Sequence, residues 1–175
     1  MKTKKMLLML LISIFILTPT ILVYATSYEA FFPFLINLSG WEAEKADGAD
    51  INMSGVTAIS AARKYTSGNK KFEAAILIGQ MMMGAWNPGY QEGFKMETPD
   101  IMREIKKING FMVFNSYEKN KSSGLIMVLL KEAMVEGSAG AVFSFLFNGI
   151  ESEEALKLAQ KFDWKKVKEK VEEIN

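Results

Sequence analysis

The clearest pattern in the chain is an alternation of side chains that predicts a β-hairpin over residues 56–78. In its second half, apolar residues recur at every second position, at Phe72, Ala74, Ile76 and Ile78. A period of two is typical of a strand with one buried face. Between the halves lies Ser67-Gly68-Asn69-Lys70, where Gly and Asn tolerate the positive φ that a tight hairpin turn needs.

Three further strands are predicted between residues 111 and 147. Phe111, Val113, Asn115 and Tyr117 alternate with their neighbours, and the polar stretch 119–124 follows as a turn. The run 125–130 is apolar throughout, which predicts a central strand covered on both faces. The third strand carries an apolar face at Ala141, Phe143, Phe145 and Phe147.

Helices are predicted in the gaps between and after these strands. Thr98-Pro99-Asp100 has the residues of a helix start, Ile101, Ile105 and Ile108 would form its buried stripe, and Asn109-Gly110 would end it. Near the C-terminus, Ser152 and Asp163 are suited to cap two more helices. Phe162 and Val167 flank the second cap at the spacing of a hydrophobic staple.

Together these elements predict an α+β fold, an antiparallel sheet of about six strands covered by helices, in one domain over residues 26–175. A short strand is expected to begin near Trp41 and to end at Asp47-Gly48, which has the composition of a turn.

The N-terminal segment 1–25 has the three-part pattern of a secretory signal. Lys2, Lys4 and Lys5 precede an uncharged run over residues 6–24 that contains Pro19, and cleavage is expected after Ala25. The alternative is an uncleaved anchor that holds the domain outside the cytoplasm, since the run is near the lower limit of the length that a spanning helix needs. Both interpretations predict a secreted or otherwise extracytoplasmic location.

The composition of the chain excludes several kinds of catalytic and binding site. The chain has no cysteine and no histidine, which excludes thiol chemistry and removes the commonest general base and metal ligand. The leader holds three lysines and no acid, so the rest carries 18 basic and 20 acidic side chains, a formal net charge of −2. Basic and acidic side chains are mixed along the chain, so no nucleic-acid partner is expected. No cofactor site and no metal site are predicted.

The connection 80–97 is the strongest candidate for a contact surface. It is long and combines Gly and Pro with Met82, Trp86, Tyr90 and Phe94, residue types that are common in protein interfaces. The alternative is that Met82 and Trp86, which are four residues apart, lie on a short helix that packs on the sheet. The spacing of Met82 and Trp86 favours core packing, and the contact surface is the second interpretation.

Four scattered segments resemble the small exported domains of the PsbP-like type, in which an antiparallel sheet packs between helices. These segments are Gly40-Trp41, Ala62-Arg63-Lys64-Tyr65, Ile108-Asn109-Gly110-Phe111 and Phe162-Asp163-Trp164. The resemblance implies a non-enzymatic role and names no ligand or functional residue.

The sequence therefore predicts an exported, non-catalytic binding or accessory domain. Its partner would be an unknown protein or small molecule outside the cytoplasm, with membrane contact only through residues 1–25 if these are retained. The alternatives are a membrane-anchored structural domain and a carboxylate-based hydrolase, which would need two converging acids with perturbed pKa values. Three acceptor patterns for N-glycosylation begin at Asn37, Asn52 and Asn120.

Overall fold

The computed structural model describes residues 27–53, 56–79, 91–133 and 139–174. Within these residues the chain forms one antiparallel sheet of nine strands, with two α-helices and one 3₁₀ helix. The strands are β1 (Glu42–Ala43), β2 (Asp47–Met53), β3 (Val56–Ser67), β4 (Lys70–Gly79), β5 (Lys95–Glu97), β6 (Ile101–Ile108), β7 (Phe111–Glu118), β8 (Ser123–Lys131) and β9 (Gly140–Asn148). The helices are the 3₁₀ helix Tyr28–Phe34, α1 (Ser152–Ala159) and α2 (Trp164–Glu172).

The strand order is β1-β3-β4-β9-β8-β7-β6-β5, and β2 also pairs with β3. Thus β1 and β2 share one edge of the sheet, and the three-residue β5 forms the other. The predicted hairpin over residues 56–78 is confirmed as β3 and β4, with Gly68 at φ 61° in its turn. Strand β9 enters between β4 and β8, so it lies in the middle of the sheet.

The predicted α+β fold with a six-stranded sheet is wrong. The described residues form nine strands, and their helices are short, so the architecture is β-rich. The buried apolar side chains of α1 and α2 all join one core cluster, on the sheet face that carries Phe143 and Phe145. We call this the inner face and the opposite one the outer face.

The segment 101–108 was predicted as a helix and is strand β6. Thr98 Oγ1 does accept a hydrogen bond from the Ile101 N–H at 3.0 Å, which is the contact of a helix N-cap. The Thr98 N–H, however, donates to the Ile101 carbonyl at 2.8 Å, which closes a hairpin turn between β5 and β6. Asn109 and Gly110, predicted to end the helix, have φ of 52° and 87° and form the tight turn into β7.

Asp47-Gly48 was predicted as a turn and instead begins strand β2, where Gly48 lies opposite Ala61. A Cβ atom on Gly48 would lie 2.6 Å from Cδ2 of the Tyr28 ring, closer than carbon atoms pack. Glycine is needed here because a Cβ would collide first with the backbone carbonyl oxygen of Ser60 on β3 and then with the Tyr28 ring of the 3₁₀ helix.

The predicted cap of the last helix is confirmed. Asp163 is the N-cap of α2 and accepts a hydrogen bond from the Lys166 N–H at 3.1 Å. Phe162 packs against Phe145 with ring centroids 5.2 Å apart, and Val167 is fully buried. Ser152 is the first residue of α1 rather than its cap, since Glu151 occupies the cap position.

Candidate partner-binding face

The outer face has its own apolar surface, separate from the core beneath the helices. Strand register aligns one side chain from each of six neighbouring strands in a transverse row. This row consists of Ala62, Ala75, Ser144, Met127, Phe114 and Ile105. Ile105 and Phe114 are buried, as is Val142 on the same face, yet none of the three belongs to the inner core cluster.

Phe94, one of the four predicted contact residues, lies at the β5 end of this row. One backbone hydrogen bond joins it to Ile105, whose N–H donates to the Phe94 carbonyl at 2.8 Å. Register places both side chains on the outer face, and Phe94 is half-buried. Met82, Trp86 and Tyr90 lie outside the described residues, as does the predicted cleavage site at Ala25, so these remain predictions.

A second transverse row is more open, and we call it the Leu146 row. It contains Arg103 on β6, Ser116 on β7, Leu125 on β8, Leu146 on β9 and Glu73 on β4, each opposite the next in register. Leu146 is 52% exposed although β9 is a central strand. Ile51, 40% exposed, is the other large exposed hydrophobic residue of the described chain, and it lies on the edge strand β2.

The two ends of the Leu146 row carry opposite charges. Arg103 is half-buried, its Nε is buried without a hydrogen-bond partner, and no described acid forms an ion pair with it. Glu73 lies opposite Lys64 in register, but the described residues show no ion pair between their side chains. Both charges are therefore available to a partner.

A half-open hollow of about 450 Å³ lies beside Leu146. Its lining combines Leu146 with the charged side chains of Lys64, Lys71 and Glu73. An apolar floor with charges at its rim matches the general anatomy of protein interfaces.

A polar cluster on the inner side has a different role. Tyr117 donates a hydrogen bond to Glu151 Oε2 at 2.7 Å, and Ser122 donates to Glu151 Oε1 at 3.0 Å. These bonds, chiefly the one from Tyr117, lower the pKa of the Glu151 carboxyl. Burial, and then the bond to Glu151, raises the pKa of Tyr117. Glu151 is thus held ionised, which suits fastening the start of α1 to the sheet.

Asn115 extends this cluster below α1. It is 2% exposed, and its Nδ2 donates to Ser152 Oγ at 2.9 Å and to Glu104 Oε1 at 3.3 Å. Glu104 in turn forms an ion pair with Lys106 at 2.6 Å. These contacts join β6, β7 and α1, so the cluster explains why the helix lies where it does.

The described residues also bear on metal binding, membrane spanning and glycosylation. Across these residues there is no group of three or more acids placed to hold a metal ion, and no helix is long and apolar enough to cross a membrane. The three predicted glycosylation asparagines, Asn37, Asn52 and Asn120, are all exposed.

Comparison with known proteins found no matching family model, curated protein or solved structure. The resemblance to PsbP-like domains therefore stays a prediction.

Sequence reasoning missed the Leu146 row for identifiable reasons. The alternation that placed Phe143, Phe145 and Phe147 on one face also placed Leu146 on the other, so that signal was present. The apolar run 125–130 was expected to be covered on both faces, whereas Leu125, Met127 and Leu129 are only half-buried. Arg103 was assigned to a helix, which hid its place in the sheet.

Proposed function

We propose that this chain is an exported, non-catalytic binding or accessory domain that contacts its partner through the Leu146 row of the outer face. The single observation that carries the proposal is Leu146, a large apolar side chain 52% exposed on a central strand. Leaving apolar area in water costs about 25 cal/mol per Å². A partner that covers Leu146 recovers this free energy on binding.

The surroundings of Leu146 support contact with a protein more than with a small molecule. The hollow beside it is half-open and bordered by the charged side chains of Lys64, Lys71 and Glu73, while small-molecule sites enclose most of the ligand among apolar side chains. Arg103, at the β6 end of the row, belongs to a residue type that is enriched among the residues that dominate binding energy in interfaces.

The place of action is proposed from the leader. Its basic start and apolar run support export, and the partner would then be met outside the cytoplasm. If the leader is retained, membrane contact through residues 1–25 would bring the face to partners near the membrane surface.

The test is photo-cross-linking in the chain's own host. A photoreactive phenylalanine analogue replaces Leu146 in one variant and Ile51 in a matched control, because these are the two large exposed hydrophobic residues of the described chain. We expect the Leu146 variant to give one discrete adduct and the Ile51 variant to give none. Adducts of equal yield and mass at both positions would contradict the proposed face, and so would their absence at Leu146.

A further inference from the structure

The Leu146 row has opposite charges at equal distances from its centre. Strands β6, β7, β8, β9 and β4 are consecutive in the sheet, so Leu125 lies at the middle of the row. With neighbouring strands about 4.8 Å apart, Arg103 and Glu73 lie about 10 Å to either side of Leu125. A positive and a negative side chain are thus equally distant from one central leucine.

We propose that the partner of this face is a second copy of the chain, which packs outer face to outer face around a two-fold axis along β8 at Leu125. This inference rests on the proposed function, since it names the partner for the same face. A two-fold interface requires a patch that is complementary to itself. The rotation brings Arg103 of each copy to Glu73 of the other, which forms two identical ion pairs.

The remaining positions of the row also match under this rotation. Strand β7 of one copy lies over β9 of the other, so the exposed Leu146 meets the small Ser116. The two Leu125 side chains meet at the axis. Aligned sheets pack about 10 Å apart at about −30°, a spacing that side chains of this size fill.

The row next to the Leu146 row, through Ser123, is also complementary to itself under this rotation. Glu118 on β7 and Asn148 on β9 lie one strand to either side of Ser123. The rotation brings the Glu118 carboxylate of one copy to the Asn148 amide of the other, an acceptor facing a donor.

Lys64 and Lys71 are the cations that line the hollow beside Leu146. Lys64 lies on β3, one strand beyond Glu73, and the rotation places it over Met96 of the second copy, where its hydrocarbon stem has apolar surface to cover. Lys71 is brought over Ile101 in the same way.

The decisive experiment is a charge exchange on the full chain as its host produces it, followed by sedimentation velocity over a range of concentrations. We expect the wild type to dimerise. Arg103→Glu and Glu73→Arg should each weaken the dimer by about 100-fold, because each puts like charges in contact twice. The double variant should restore it. Lys157→Glu, an exposed change on α1, is the matched control and should leave the dimer unchanged.

A second measurement covers the case in which a charge variant fails to fold. The chain has no cysteine, so Leu125→Cys introduces one thiol at the axis. A short bis-maleimide should link two such chains efficiently, whereas Ile51→Cys should link poorly.

A wild type that stays monomeric at all concentrations would overturn the inference. A dimer that neither charge variant weakens, or that the double variant does not restore, would do the same. The photo-cross-linking result separates this failure from failure of the proposed function. An adduct of Leu146 with a different protein would leave the face established and exclude only the second copy as its partner.

Discussion

Arg63 and Tyr65 on β3 hold the chain that follows the 3₁₀ helix, residues 35–44, against the sheet. Arg63 Nη1 donates to the Leu35 carbonyl at 2.8 Å, and its Nε donates to the Glu44 carbonyl at 2.7 Å. The Tyr65 hydroxyl donates to the Ile36 carbonyl at 2.8 Å. Three backbone carbonyls that lie outside the strands are thereby satisfied.

Removing the Tyr65 hydroxyl tests this clamp. Tyr65→Phe should lower the free energy of unfolding by about 1 to 2 kcal/mol, because it leaves the Ile36 carbonyl unpaired. Denaturant unfolding at neutral pH measures this change. An unchanged free energy would show that water replaces the lost donor.

The same variant should alter the response to alkaline pH. Burial raises the pKa of Tyr65 from 10.0 to about 12, and the charge of Arg63 opposes this only in part. Between these two pH values the folded protein keeps the Tyr65 hydroxyl proton, which the unfolded chain releases. The contribution of this hydroxyl to the free energy of unfolding is therefore complete below pH 10 and is lost as pH rises through about 12. Over that window wild-type stability should fall more steeply than that of Tyr65→Phe.

At the scale of elements, the hairpin of β6 and β7 depends on its turn. Asn109 and Gly110 both have positive φ, which is the geometry of a type I′ turn and matches the twist of the two strands. Without this turn, the pairing of Ile101–Ile108 with Phe111–Glu118 would lose its register.

Gly110→Ala tests the turn. Open space surrounds the position of the new Cβ, so the cost is conformational rather than a clash. We expect the free energy of unfolding to fall by about 1 to 2 kcal/mol, the cost of left-handed backbone for an L-residue. Asn109→Gly is the control and should be nearly neutral. Equal effects of the two variants in urea unfolding would show that the turn is not under this constraint.

The edges of the sheet have features that prevent pairing with another sheet, and its outer face does not. Strand β5 is only three residues long and carries Lys95 and Glu97, which form an ion pair at 3.1 Å. Strand β2 at the other edge carries exposed Asp47 and Asp50. Short, charged edges disfavour pairing with another sheet edge, so association is directed to the face.

At the scale of the whole molecule, one face is closed and the other is partly open. The helices bury an aromatic cluster that includes Phe72, Phe143, Phe145 and Phe162 on the inner face. The two described α-helices have eight and nine residues, too few to cover the other face as well. On the outer face Leu146 is 52% exposed.

The fate of the leader is also a whole-molecule prediction. The intact mass of the protein from soluble and membrane fractions of its host should show a soluble chain beginning at Thr26. A full-length chain in the membrane fraction would instead support the anchored alternative. The physical reason is that Pro19 interrupts the apolar run, which favours a signal peptide over a spanning helix.

Some parts of the fold followed from local sequence alone. Alternating apolar residues predicted β4, β7 and β9, because a strand with one buried face must repeat every two residues. Asp163 and the Phe162–Val167 staple predicted the start of α2, because these contacts lie within one turn of chain.

Other parts were decided only by the tertiary structure. Thr98 makes the same contact to Ile101 in a helix start and in a hairpin turn, so pairing with β7 selected the strand. The openness of the Leu146 row depends on which face the helices occupy, and strands with apolar residues on both faces do not encode that choice. The register of five strands places Arg103 and Glu73 at opposite ends of one row. No local sequence pattern contains this relation.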